Sequence, residues 1–124
     1  MSRRLLATLV VATTGLAVAG AAFSQAQSTP KLVGTVGPGY TIKLTKAGVK
    51  VRSLRAGTYK FVISDKSSFH NFTLEKETGT KVEKHLTGTS FTGTKTATLT
   101  LKRGTWKYYC SVHEAMMHGF FTVK

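Results

Sequence analysis

In Tyr59-Lys60-Phe61-Val62-Ile63 the bulky apolar side chains fall on every second residue, so Tyr59, Phe61 and Ile63 line one face of an extended segment. Thr96 to Leu101 repeats the pattern, with Ala97, Leu99 and Leu101 turned inward and the threonines turned to water. Beyond the first two dozen residues no segment sustains a 3.6-residue period for more than a turn or two. Thr, Val, Phe, Tyr and Gly are abundant there, which favours strands. The pattern predicts strands at Lys31–Val36, Tyr40–Thr45, Val49–Leu54, Thr58–Ser64, Asn71–Glu75, Lys95–Lys102, Thr105–Cys110 and Phe120–Lys124, most of them separated by short Gly-rich or polar segments. Lys76 to Thr94 is the least regular stretch and reads as loops, with at most a weak strand over Lys81–Leu86; His85 is expected to be a surface loop residue. The fold class implied is all-β, a Greek-key sandwich or barrel of about eight strands. Arg55-Ala56-Gly57-Thr58-Tyr59 and Lys102-Arg103-Gly104-Thr105-Trp106 use one device twice, a tight turn that feeds an aromatic into an inner strand.

The N-terminal residues differ in kind. Ser2-Arg3-Arg4 is a short positive start, Leu5 to Ala22 carries no charge, and Ser24-Gln25-Ala26 offers the small residues of a cleavage site. Residues 1–26 are therefore read as a secretory signal peptide and residues 27–124 as a single domain, exported to the periplasm, cell envelope or outside. Retention of 5–22 as an anchor is the competing reading, weakened by Thr8, Thr13, Thr14, Gly15 and Gly20. No membrane span is expected in the mature form, which is taken to be a monomer.

The 124-residue chain carries 18 basic and 5 acidic side chains, a net charge of +13. Cleavage after Ala26 would remove only Arg3 and Arg4 and leave +11. Such a surface calls for an anionic partner, and an acidic redox protein is the expectation. Nucleic acid is not expected, because no exposed aromatic platform forms a recognisable motif and export argues against it. A single cysteine, Cys110, excludes an intramolecular disulfide, a multi-cysteine zinc site and an iron–sulfur cluster.

Three of the four histidines and that cysteine fall in two places, Phe69-His70-Asn71-Phe72 and Cys110-Ser111-Val112-His113-Glu114-Ala115-Met116-Met117-His118-Gly119. A thiolate and an imidazole three residues on can converge on one ion across a tight loop, while a second imidazole arrives from another strand and a thioether caps the site. Two His, one Cys and a weak axial Met is a ligand set that copper uses for electron transfer.

At these residues the chain resembles the type 1 (blue) copper proteins of the cupredoxin superfamily, such as plastocyanin, amicyanin, pseudoazurin and azurin. His70-Asn71 matches the His-Asn that opens one strand of that family. Cys110, His113, Met117 and Gly119 match its Cys-x-x-His loop closed by Met-x-Gly and a final strand. The resemblance implies one type 1 copper ion, with His70, Cys110 and His113 as equatorial ligands and Asn71 tying the two ligand loops together by hydrogen bonding. For the axial position the glycine turn at Gly119 favours Met117; an amicyanin-like spacing points to Met116, and His118 is a third option. His113 is the expected electron port. Tyr109 alternates to the face opposite Trp106 and Tyr108 and is expected to be an exposed strand aromatic, though its place beside Cys110 would suit a second exit for electrons.

A one-electron carrier is the leading reading. Copper storage or delivery in the envelope would use the same ligands with exchangeable metal. An enzyme is not expected and no catalytic residue is assigned, since no His-x-His pair exists to hold further copper ions. A metal-free sandwich binding an envelope polymer is disfavoured by the intact ligand set.

Overall fold

The computed structural model describes residue 12 and residues 15–124. The positive start and half of the apolar run of the expected signal peptide lie outside the described residues, and residues 15–30 are irregular and exposed. No helix among the described residues is long and apolar enough to cross a membrane.

Among the described residues ten strands form two five-stranded sheets. The chain makes β1 (Lys31–Val36), β2 (Ile42–Lys46), β3 (Val49–Lys50), β4 (Ser53–Leu54), β5 (Gly57–Asp65), β6 (Thr73–Lys76), β7 (Val82–His85), β8 (Gly93–Leu101), β9 (Gly104–Tyr109) and β10 (His118–Val123). One sheet runs β3-β2-β1-β5-β8 and the other β4-β10-β9-β6-β7. Neighbours are antiparallel except β1 beside β5 and β4 beside β10. The all-β sandwich agrees with the expectation, and the difference between eight strands and ten has two causes. The segment predicted as one strand over Val49–Leu54 breaks where the chain crosses between sheets: the Val51 N–H still bonds to Leu44 of β2, whereas the Arg52 carbonyl already accepts from Thr122 of β10. The weak strand over Lys81–Leu86 is a real one, β7, paired with β6. His85 accordingly sits on an exposed strand and not in a loop, its ring between Thr73 Oγ1 at 2.8 Å and Glu83 at 3.1 Å.

The core lies between the sheets. Leu32, Leu44, Phe61, Ile63 and Leu101 of the first sheet face Leu74, Trp106, Tyr108 and Phe121 of the second, all of them buried. Each such side chain contributes about 1.5–3 kcal/mol by leaving water. The repeated turn device is built alike at both places. Gly57 and Gly104 take φ of 156° and 146°, which a side chain would strain. Two residues on, the Tyr59 hydroxyl donates to the Arg55 carbonyl at 2.7 Å and the Trp106 indole to the Lys102 carbonyl at 2.9 Å. β5 and β9 thereby enter the middle of their sheets already anchored. Both run toward one end of the sandwich, where the β1–β2, β5–β6 and β9–β10 connections meet.

Candidate metal centre

Two connections supply the donors. β9 ends at Tyr109, and the Cys110 N–H donates across the loop to the Met117 carbonyl at 3.0 Å. Inside that loop the His113 N–H donates to Cys110 at 3.2 Å, and the N–H groups of Met116 and Met117 both donate to the His113 carbonyl, at 3.0 and 2.9 Å. The backbone is thus wound into successive tight turns that carry His113 back over Cys110. His70 stands in the β5–β6 connection; β6 begins only at Thr73, not at Asn71 as the pattern predicted. The backbone of Phe72 is bonded elsewhere, its N–H to Thr87 Oγ1 at 2.8 Å and its carbonyl to the Leu86 N–H at 2.7 Å. Asn71 is buried, and its Oδ1 accepts the Ser111 N–H at 2.8 Å and the Ser111 hydroxyl at 3.2 Å. These bonds join the connection that carries His70 to the one that carries Cys110 and His113.

The ligand atoms of His70, Cys110 and His113 lie within 4.8 Å of one another. His70 Nδ1 is 3.0 Å from His113 Nδ1, and each nitrogen is 3.8 Å from Cys110 Sγ. A point equidistant from these three atoms is about 2.1 Å from each, the length of a metal–imidazole bond and slightly short of a metal–thiolate one. Two ring nitrogens facing each other and one sulfur suit a single cation, because imidazole nitrogen and cysteine sulfur are both lone-pair donors to metals. The donor set of two nitrogens and one soft sulfur in a trigonal arrangement fits copper. Cys110 is fully buried and His70 is buried, whereas His113 is half-buried.

The axial candidates separate by burial. Met117 is 1% exposed, in the core beside Cys110, while Met116 is 61% exposed. His118 is exposed and turned to its own loop, Nδ1 donating to the Glu114 carbonyl at 2.7 Å and the ring against Phe120. It is not brought to the cluster. Gly119 makes no turn: it pairs with Tyr108 inside β10, and a Cβ there would collide with the Tyr108 ring. Its role is close approach between strands, which corrects the reading of this glycine as the turn that sets the axial ligand.

Tyr109 overturns another expectation. It is 5% exposed, its ring beneath the Lys107 ammonium at 4.6 Å and its hydroxyl facing Glu75. Alternation sends Tyr109 to the outer face, but the Lys107 and Glu75 side chains pack against it there. Burial, then the Glu75 carboxylate, pushes the Tyr109 phenol well above its ordinary range. Glu75 is held below the usual carboxylate range by its hydrogen bond to Lys81, against partial desolvation and with help from Tyr109. Burial works against the Lys107 ammonium, yet bonds to Glu114 and Glu77 outweigh it and raise its pKa.

Sequence reasoning missed Tyr40. Its ring centroid lies 5.4 Å from that of His70 and 5.1 Å from that of His113, so it shelters both imidazoles while 60% of its own surface faces solvent. Tyr40 comes from the β1–β2 connection, and only the topology brings it to the site.

The family model for copper binding proteins of the plastocyanin/azurin family matches residues 42–124. Among solved structures, the copper protein rusticyanin is similar at 20% identity over 80% of both chains, with a TM-score of 0.58. A methionine-to-glutamine variant of rusticyanin gives a TM-score of 0.53 at 20% identity, again over 80% of both chains. Reduced rusticyanin gives 0.52 at 19% over 76% of both. No curated protein sequence matches the chain significantly. The structural likeness carries the fold, and the family model spans well over half of the sequence and both ligand segments: the chain belongs to the plastocyanin/azurin family of copper-binding proteins and has the cupredoxin fold.

Proposed function

We propose that this is an exported type 1 copper protein that carries single electrons between redox partners. The observation that carries the reading is the triangle of donor atoms, 3.0 Å between imidazole nitrogens and 3.8 Å from each to sulfur. His70, Cys110 and His113 would hold one copper ion, with Met117 as the long axial ligand. Bound there, copper would supply one-electron chemistry by alternating between Cu(II) and Cu(I).

The protein's own groups divide the remaining work. Cys110 supplies a buried thiolate away from water, and Asn71 keeps its loop in register with that of His70. With Nδ1 directed inward, the far edge of the half-buried His113 ring points outward and serves as the electron port. Phe69, Val112 and Met116 on the ligand-bearing connections and Tyr40 on the β1–β2 connection expose apolar surface, a patch suited to brief contact with a partner. Lys81 and Lys107 occupy the acidic side chains Glu75, Glu77 and Glu114, so the excess positive charge is left to attract an acidic redox protein. The N-terminal pattern of residues 1–26 supports export to the periplasm, envelope or exterior.

The test is titration of the metal-free protein with Cu(II), followed by visible and electron-spin spectra through ascorbate reduction and reoxidation. An intense thiolate band at one copper per chain that bleaches and returns is expected. Colour lost because copper leaves on reduction would replace this reading with copper delivery, and the absence of a coloured complex would overturn both.

A further inference from the structure

Asp65 is the one carboxylate of the described chain that is buried without an ion pair. It is 2% exposed at the end of β5. Its Oδ1 accepts the Ser67 N–H at 3.2 Å and its Oδ2 accepts the Thr87 hydroxyl at 2.7 Å. Thr87 is 1% exposed, and the same hydroxyl oxygen accepts the Phe72 N–H at 2.8 Å. The Thr87 and Leu86 N–H groups both reach the Phe72 carbonyl, at 3.3 and 2.7 Å. The connection that carries His70 is therefore gripped on both sides. Asp65 holds its start through Ser67, and Asp65 through Thr87 holds its end at Phe72, two residues past His70.

A buried carboxylate is costly when no cation offsets it, and a neutral pair of side chains would fill the same space at less expense of solvation. The Asp65 oxygen accepts the Thr87 hydrogen, which fixes which way that hydroxyl points. With its hydrogen aimed at Asp65, the Thr87 oxygen must turn a lone pair to the Phe72 N–H. The two sheets are linked at this spot, Asp65 on β5 in one sheet and Phe72 leading into β6 in the other.

We infer that Asp65 and Thr87 are positioning residues that set the His70 imidazole relative to Cys110 and His113. Neither is in the ligand cluster, so both act through the backbone of residues 66–72. Rigid support of this kind is what a metal site needs to keep its ligands at fixed angles; loss of outer supports typically lowers metal affinity by about 10–100-fold. The inference rests on His70 being a ligand, as proposed above.

Thr87→Val keeps the shape and removes the oxygen, leaving the Phe72 N–H and Asp65 Oδ2 without this partner; Thr87→Ser keeps the oxygen. Leu99→Ala serves as a stability control, since Leu99 pairs with Tyr59, six residues along β5 from Asp65. The readouts are Cu(II) affinity by competition, the shape of the visible and electron-spin spectra, and amide exchange of Phe72 in the metal-free protein. Thr87→Val should weaken copper binding by about 10–100-fold, redistribute intensity among the thiolate bands and speed Phe72 exchange at least tenfold, with Thr87→Ser restoring all three. Asp65→Asn, which retains an acceptor, should move the same readouts in the same direction by a smaller factor, and it stands in if Thr87→Val does not fold. Wild-type affinity and spectra in these variants, or changes no larger than those of Leu99→Ala, would overturn the assignment. If the unaltered protein gives no thiolate band, the proposed function fails instead, and Phe72 exchange alone still decides whether the relay holds the loop.

Discussion

Replacing Gly119 by Ala should destabilise the fold by about 2 kcal/mol net, and the obstacle is a single ring. Gly119 sits opposite Tyr108 across β9 and β10. A Cβ on Gly119 would lie 2.7 Å from Tyr108 Cε2 and closer still to Cζ and the hydroxyl oxygen. The ring has nowhere to go. Tyr108 is 2% exposed, stacks on Phe72 at 5.9 Å with the planes 4° apart, and meets Phe121 at 6.4 Å. Forcing an extra methyl group into a dense interior costs about 1–3 kcal/mol, and a stacked ring yields less than the tip of a flexible chain, which places this site at the upper end. Against that, Ala restricts the unfolded chain and returns about 0.4–1 kcal/mol. For a domain of about 100 residues, 2 kcal/mol lowers Tm by roughly 10 °C. Gly88→Ala is the matched control, because nothing lies within 4 Å of a Cβ at Gly88. Urea unfolding of the metal-free forms gives both stabilities. A Gly119→Ala midpoint that coincides with those of wild type and Gly88→Ala would refute the steric account.

Other consequences can be checked on the same material. Cys110→Ser should abolish the intense thiolate band on Cu(II) addition, whatever weak copper binding His70 and His113 retain, and a persisting band would remove Cys110 from the ligand set. Met117→Leu, which nearly conserves volume, should keep the colour and shift the reduction potential, whereas the exposed Met116→Leu should leave the potential where it was; the reverse result would reassign the axial ligand. Glu75 is held below its ordinary pKa of 4.5, chiefly by Lys81, so its contribution to stability is present above that value and is lost as pH falls through the lower folded value. Glu75→Gln should therefore flatten the acid limb of stability against pH by up to about 1.4 kcal/mol per pH unit, and an unchanged slope in urea midpoints between pH 5 and 3 would contradict this.

What could be read from the sequence was what is local. β1 begins and ends where the alternation of Lys31–Val36 predicted, β5 exceeds its predicted span by one residue at each end, and β8 starts two residues earlier and ends one residue sooner than predicted. The Cys110 to His113 spacing was equally legible, because one run of turns sets it. Crossing between sheets at Val51–Arg52 was not, since that depends on two other strands, β2 and β10. β7 registered only as a weak strand for a different reason: three of its four residues are exposed, so hydrophobic alternation had little to mark. Tyr109 shows the limit of alternation itself, which tells which face a side chain takes but not whether something covers that face. Tyr40, Asp65 and Thr87 reach the metal centre or its loop from 30, 5 and 17 residues away from His70, respectively, and carry no motif of their own.

The supports around the three donors bear on which copper function the fold suits. Each donor has a hold that is made by protein alone: Cys110 by its N–H to Met117 and by Asn71 bonded to Ser111, His113 by its own turn and the Tyr40 ring, and His70 by the flanking grip on Phe72. A carrier must present one geometry to two oxidation states, and every movement the ligands make between them adds to the barrier for transfer. Ligands fixed from outside the coordination sphere keep that movement small. A delivery protein needs the opposite, at least one donor that lets go without disturbing the core. The most accessible donor here is the half-buried His113; its backbone is fixed by the turn that also places Met116 and Met117, and its ring packs against those of Tyr40 and His70. A donor held this way, through its backbone and through both neighbouring rings, is what the proposed carrier needs and what the delivery alternative does not.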